Sequence, residues 1–259
     1  MIDTLIAFGC SNTYGTEALV KNDDGIKDKS INNQYAYPKY LADRIGCSYK
    51  NLASPGISNI EIASKVMEAV QSPEFSAYAD PFIIIGWTED ERIPVISKKN
   101  KHFTIGTGDL SYLLEKDHTL KVPYIFSKKE FDEQFVLNIM EHIYASPFYN
   151  KMNFFIKYAV INYLQQNNIK FFTFPTLSYP FDPLYNLLSS PNNILCHDSI
   201  GNPVFDMLEK FLHFCPNYKG YHLHYTSHKA LADYLFFELA KRRVIKLEDV
   251  HTPSSHLLC

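Results

Sequence analysis

Two segments near opposite ends of the 259-residue chain carry the residue types of nucleophilic catalysis. The first is Gly9-Cys10-Ser11-Asn12-Thr13-Tyr14-Gly15, which follows the apolar run Thr4-Leu5-Ile6-Ala7-Phe8. That run reads as a buried first strand, so the Ser11 hydroxyl emerges at its carboxyl end, the edge of an open α/β sheet at which ligands bind. A hydroxyl is a weak nucleophile until a base within hydrogen-bond reach takes its proton. Imidazole bases cluster in the second segment, Gly220-Tyr221-His222-Leu223-His224-Tyr225-Thr226-Ser227-His228, just ahead of an apolar-periodic stretch that reads as a closing helix. A serine on the first strand and histidines before the last helix meet at one edge of a doubly wound sheet.

The elements between them fit such a sheet. Pro38 to Gly46 reads as a helix with proline in its first turn and glycine as its stop, and a second strand follows at residues 48–52. Ser58 or Asn59 can cap a helix through Ile62, Val66, Ala69 and Val70. Phe82-Ile83-Ile84-Ile85 is all apolar, as a central parallel strand covered on both faces should be. Residues 97–129 read as irregular, residues 129–166 as helical with a break near Pro147, and Ile169 to Phe174 as a fourth strand. Further helices are expected at residues 204–213 and 227–243, and a loop over the site at residues 16–33. The expected architecture is a single three-layer α/β/α domain over residues 1–245, with a mostly parallel, flavodoxin-like sheet. A loop and helical insertion is expected at about 95–165, and a tail at 246–259.

These residues resemble the SGNH/GDSL hydrolase family. Its first block, usually Gly-Asp-Ser, reads Gly9-Cys10-Ser11 here, and its second, built on a glycine, reads Asn51-Leu52-Ala53-Ser54-Pro55-Gly56-Ile57-Ser58-Asn59. The third block normally carries a glycine and an asparagine; the matching place is Ile85-Gly86-Trp87-Thr88-Glu89, without the asparagine. In the last block the spacing from His222 to His228 is kept, with Lys219 where an aspartate is usual and Ser227 where a glycine is usual. The resemblance runs in order over residues 4–240, apart from residues 95–165, which match no block.

The resemblance implies a serine esterase or acyltransferase with Ser11 as nucleophile and His222 as base. It places the oxyanion hole at the N–H groups of Ser11 and Gly56, with Thr88 or Asn59 as the third donor. Asp198 or Asp206 is the candidate orienting acid, His224 the alternative base, and Cys10, Asn12, Trp87 and Glu89 the candidate cleft residues. The substrate class implied is a small acyl ester, such as an O-acetylated glycan, with no cofactor. Taken alone, Ser11 could equally be a helix cap or turn residue, Gly56 the positive-φ residue of a type II turn after Pro55, and His228 a packed residue opening the last helix.

Two other function classes fit the same residues. One is a non-catalytic binding module for a carbohydrate or protein partner on the same fold. The other is a metal-dependent enzyme, because His213, Cys215, His222, His224 and His228 lie close in sequence, although no zinc spacing is met. The glycines near Ser11 match neither a Walker nor a dinucleotide fingerprint. A net charge of −3 gives no reason to expect nucleic acid. The five cysteines, Cys10, Cys47, Cys196, Cys215 and Cys259, are odd in number, scattered and free of C-x-x-C pairs, and so read as reduced thiols. With no basic-then-apolar leader at Met1 and no apolar run of about 18 to 20 residues, a cytoplasmic protein with no membrane span is expected.

Overall fold

Every residue of β1, Thr4–Gly9, is buried, and this strand organises the sheet around it. The computed structural model describes residues 2–16, 18–19, 29–88, 92–96, 102–106, 133–139, 142, 147–176 and 222–245. Beside β1 lie β2, Ser48–Asn51, and β3, Pro81–Trp87, and outside β3 lies β6, Lys170–Pro175; all pair in parallel in the order β2-β1-β3-β6. The chain leaves β1 for one side and returns to the other with β3, so the order reverses between them. In sheets of this kind that reversal is the switch point where ligands bind.

Alternation along the strands sorts the core into two layers. Leu5, Ala7, Phe82, Ile84, Phe172 and Phe174 face one cluster, and Ile6, Phe8, Ile83, Ile85, Trp87 and Phe171 face the other. The first layer is covered by α2, Tyr37–Ile45, and α6, Tyr225–Lys241, which pack together. On α6, Leu231, Ala232, Leu235, Phe236 and Leu239 recur at helical spacing and are buried. The Arg44–Asp233 ion pair at 2.5 Å links the two helices on their half-exposed side. Such pairs contribute at most about 1 kcal/mol, so the apolar seam decides the packing. The second layer is covered by α3, Asn59–Val70, and α5, Pro147–Gln166.

Helix ends follow the chemistry of the sequence. Ser58 caps α3 in a full capping box, its side chain accepting from Glu61 N–H while the Glu61 carboxylate accepts from Ser58 N–H at 2.8 Å. Gly46 stops α2 with φ +81°, its N–H donating to Ala42 O at 2.8 Å.

Residues 97–129 are not uniformly irregular, because β5, His102–Ile105, pairs antiparallel with β4, Ile93–Ile96. Pro94 within a four-residue strand masks the signal, since proline has no N–H for a ladder. Ile93, Val95 and Ile105 pack with Val136 of α4, Glu133–Ile139, and with Tyr149 of α5 in a satellite core. The stretch 95–165 therefore also contains α5, a layer of the main fold that carries the chain from β3 to β6. A 3₁₀ helix over Lys29–Tyr35 begins inside the stretch expected as a loop at 16–33 and runs past its end. The helix expected at 204–213 and the tail at 246–259 lie outside the described residues. Among the described residues, no helix is long and apolar enough to cross a membrane.

At the switch point Gly9 pairs directly with Gly86. A Cβ on Gly86 would come within 2.5 Å of Thr13 Oγ1 and Thr176 Cγ2 and 2.9 Å of the Tyr37 hydroxyl. Gly86→Ala is therefore expected to cost about 1–3 kcal/mol through overpacking. At Gly46 a Cβ meets nothing within 4 Å, so Gly46→Ala should cost about 1–2 kcal/mol through left-handed backbone strain alone. Urea unfolding measures both, and a Thr13→Ala background should relieve part of the first and none of the second.

Candidate active site

Ser11 opens α1, a single turn over Ser11–Tyr14. The turn is closed by Tyr14 N–H to Cys10 O at 2.9 Å and Gly15 N–H to Ser11 O at 3.0 Å. Ser11 is 6% exposed, and among the described residues its hydroxyl has no hydrogen-bond partner. It is thus placed at the switch point without being spent on a cap. Asn12 is buried beside it, with Oδ1 unpartnered among the described residues.

Cys10, expected in the cleft, is fully buried and lies beneath the turn. Thr176 donates its hydroxyl and its N–H to Trp87 O, each at 2.7 Å, which leaves the Cys10 thiol to donate to Thr176 Oγ1 at 3.5 Å. The ends of β1, β6 and β3 are joined in this way. Cys10 and Cys47 are both free thiols.

Trp87 is also corrected: it is 2% exposed and belongs to the core with Ile83 and Ile85. The strand continues past Gly86, and alternation turns the indole into the layer beneath α3 and α5.

The loop after β2 enters the site through Ser54 N–H, which donates to Gly9 O at 3.0 Å. Gly56 has φ +77° and is exposed, with nothing within 4 Å of a Cβ position. It is required by backbone conformation and not by lack of room. Asn59 is buried in the first turn of α3; its Oδ1 accepts from Thr88 N–H at 2.9 Å and its Nδ2 donates to Thr88 O at 3.0 Å. The amide of Asn59 is committed to holding the chain after β3. The Thr88 hydroxyl, buried and unpartnered among the described residues, is the freer of the two candidate third donors.

The histidine segment is drawn to this edge by Tyr225 N–H, which donates to Ala18 O at 2.8 Å just beyond the serine turn. His222 is half-buried ahead of α6. His224 is the N-cap of α6, its Nδ1 accepting from the Thr226 hydroxyl at 2.8 Å and from Thr226 N–H at 3.5 Å. Burial lowers its pKa, and because Nδ1 accepts, the neutral ring carries its proton on Nε2. His228 packs in the first turn of α6, fully buried, and also caps α2: its Nδ1 accepts the first-turn N–H of Tyr37 at 3.2 Å. Its proton then sits on Nε2, which has no partner among the described residues. Burial first, and then the nearby His222 and His224, push its pKa down to about 3.

Tyr37, Thr13 and Thr176 were not legible as site residues in the sequence. The one signal for Tyr37 was its place before Pro38, where a helix exposes first-turn N–H groups that need acceptors. Glu89, Asp198, Asp206, His213 and Cys215 lie outside the described residues. Among the described residues no three His, Cys, Asp or Glu side chains are grouped to hold a metal ion.

No protein-family model matches the sequence, and no curated protein matches it. Solved structures do. A lipolytic protein assigned to the G-D-S-L family from Desulfitobacterium hafniense DCB-2 aligns at 11% identity over 93% of this chain and 99% of its own, with a TM-score of 0.34. The lipase Lip_vut3 from a goat rumen metagenome aligns at 17% identity over 91% and 97%, with a TM-score of 0.41. The acetyl xylan esterase Est2A from the rumen bacterium Butyrivibrio proteoclasticus aligns at 10% identity over 93% and 64%, with a TM-score of 0.46.

The depressed pKa of His228 links stability to pH. Unfolded, the group titrates near 6.5; folded, at about 3. Below pH 6.5 the unfolded chain binds a proton that the native state refuses, so this contribution is complete above 6.5 and is lost as pH falls toward 3. The expected slope approaches about 1.4 kcal/mol per pH unit within that window. Urea unfolding from pH 7 to 4 should show it in the native protein, and His228→Asn should flatten it.

Proposed function

We propose that this chain is an SGNH-type serine hydrolase acting on a small acyl ester, with Ser11 as nucleophile and His222 as base. The observation that carries the reading is the Ser11 hydroxyl, free of partners among the described residues and set at the switch point between β1 and β3. Three further features support it: the tie from Tyr225 to Ala18 that brings the histidine segment to this edge, the loop of Gly56 tied to Gly9 through Ser54 N–H, and the sequence resemblance in the Ser11 and Gly56 blocks with the His222-to-His228 spacing.

In this reading Ser11 Oγ attacks the ester carbonyl carbon as His222 accepts its proton. The negative charge moves to the carbonyl oxygen, where the N–H groups of Ser11 and Gly56 and the Thr88 hydroxyl donate to it; each donor of this kind contributes about 2.7–4 kcal/mol. Collapse expels the alcohol, which takes the proton from His222 and leaves an acyl group on Ser11. Water then attacks with His222 again as base, releasing the carboxylic acid and restoring the serine; an acceptor alcohol in place of water gives acyl transfer. Asp198 or Asp206 would orient the His222 imidazole. An O-acetylated glycan is the substrate class suggested by the resemblance.

A fluorophosphonate, which bonds to activated serines, tests this directly. Mass spectrometry should find the adduct on Ser11 alone, Ser11→Ala should abolish it, and His222→Ala should slow it by about 10²-fold or more. A folded protein that takes up no label would sink the hydrolase reading in favour of a non-catalytic binding module.

A further inference from the structure

We propose that Tyr37 and His228 are positioning residues that fix the base-bearing segment against the serine turn; this rests on the assignment of Ser11 and His222 above. A continuous chain of bonds joins the two ends of the site. Thr13, two residues beyond Ser11, is hydrogen-bonded through its hydroxyl to the Tyr37 hydroxyl at 3.0 Å. Tyr37 N–H donates to His228 Nδ1 at 3.2 Å, and the two rings stack with centroids 6.2 Å apart and planes 25° from parallel. His228 N–H donates to His224 O at 2.9 Å, two residues from His222. Thr13, Tyr37 and His228 are all fully buried.

The choice of imidazole at 228 needs a reason beyond packing. Its Nε2–H is buried without a partner among the described residues, an arrangement that costs stability. A leucine would fill similar space without that donor. What leucine lacks is an acceptor for the Tyr37 N–H, and Nδ1 supplies one. Protonation would turn Nδ1 into a donor and break this bond, but burial holds the pKa of His228 down to about 3, so the ring is neutral near pH 7. The Tyr37 hydroxyl is confined in turn, because it would lie only 2.9 Å from a Cβ on Gly86. The tyrosine thus touches the serine turn through its side chain and the histidine helix through its main chain.

The test uses the full-length protein and the rate of fluorophosphonate labelling at Ser11, with melting temperature recorded for every variant. His228→Leu should slow labelling by about tenfold or more while His228→Asn, whose Oδ1 restores the acceptor, stays within about threefold of the native rate. Tyr37→Phe keeps the main-chain bond to His228 and loses only the Thr13 link; a slowing by roughly three- to tenfold is expected. That variant also carries the test if His228→Leu does not fold. Equal rates for the native, leucine and asparagine forms would overturn the positioning role, as would rates that merely track melting temperature with no rescue by asparagine. A native protein unlabelled at Ser11 removes the nucleophile assignment, and the positioning role falls with it, an outcome separable from the others because it precedes any substitution.

Discussion

Where β1 and β3 run side by side into the carboxyl edge, Gly9 faces Gly86 and no side chain fits at either position. The space is filled by Thr13, which folds back from the serine turn onto the two strands. This close approach sets the direction in which α1 leaves β1, and so where the Ser11 hydroxyl points. It also brings Thr13, Tyr37 and Thr176 around one glycine, so that four segments distant in sequence share a boundary. A Cβ at that point would displace the turn and not only crowd it. Interiors are packed too densely to absorb such a change locally.

Around this contact the described side chains are neutral. The position that carries aspartate in the family it resembles is Cys10, a thiol hydrogen-bonded to Thr176, and it gives α1 no side-chain cap. His228 is held neutral by burial. Thr13, Thr88, Thr176 and Ser227 contribute hydroxyls to the same buried edge. Neutral groups there avoid the desolvation cost that isolated charges would incur.

Much of the fold was legible in the sequence because it rests on local patterns. The apolar run at β3 and the Phe-rich run at β6 gave strands, Gly46 gave a helix stop, and Ser58 or Asn59 gave a helix start that the structure places at Ser58. The strand pair was hidden because Pro94 contradicts strand chemistry and its partner lies beyond a lysine-rich stretch of sequence. Trp87 was misplaced because the strand was ended at Ile85, two residues short of the point where alternation returns a side chain to the same core layer. At the site, Ser11 and Gly56 could be singled out because a strand end and a turn glycine are local features. The grip of Asn59 on Thr88 and of His228 on Tyr37 could not, since each joins residues far apart in sequence and depends on which way a side chain turns.

That division has a physical source. A nucleophile's place is set by the strand that presents it, whereas a base must be carried to it from elsewhere in the chain, and the carrying is done by bonds with no sequence signature. Here those bonds use groups that helices leave unsatisfied at their ends. Tyr37 N–H belongs to the open first turn of α2 and is met by a ring on α6. Tyr225 N–H belongs to the first turn of α6 and is met by a carbonyl beyond α1. The first turns of α2 and α6 are thus satisfied in part by the segments they must be registered against. Because a buried N–H without an acceptor is costly, a shift of α6 along α2 would break both bonds at once, so the same interactions that finish the helices also fix where the segment ahead of α6 sits against the chain beyond α1.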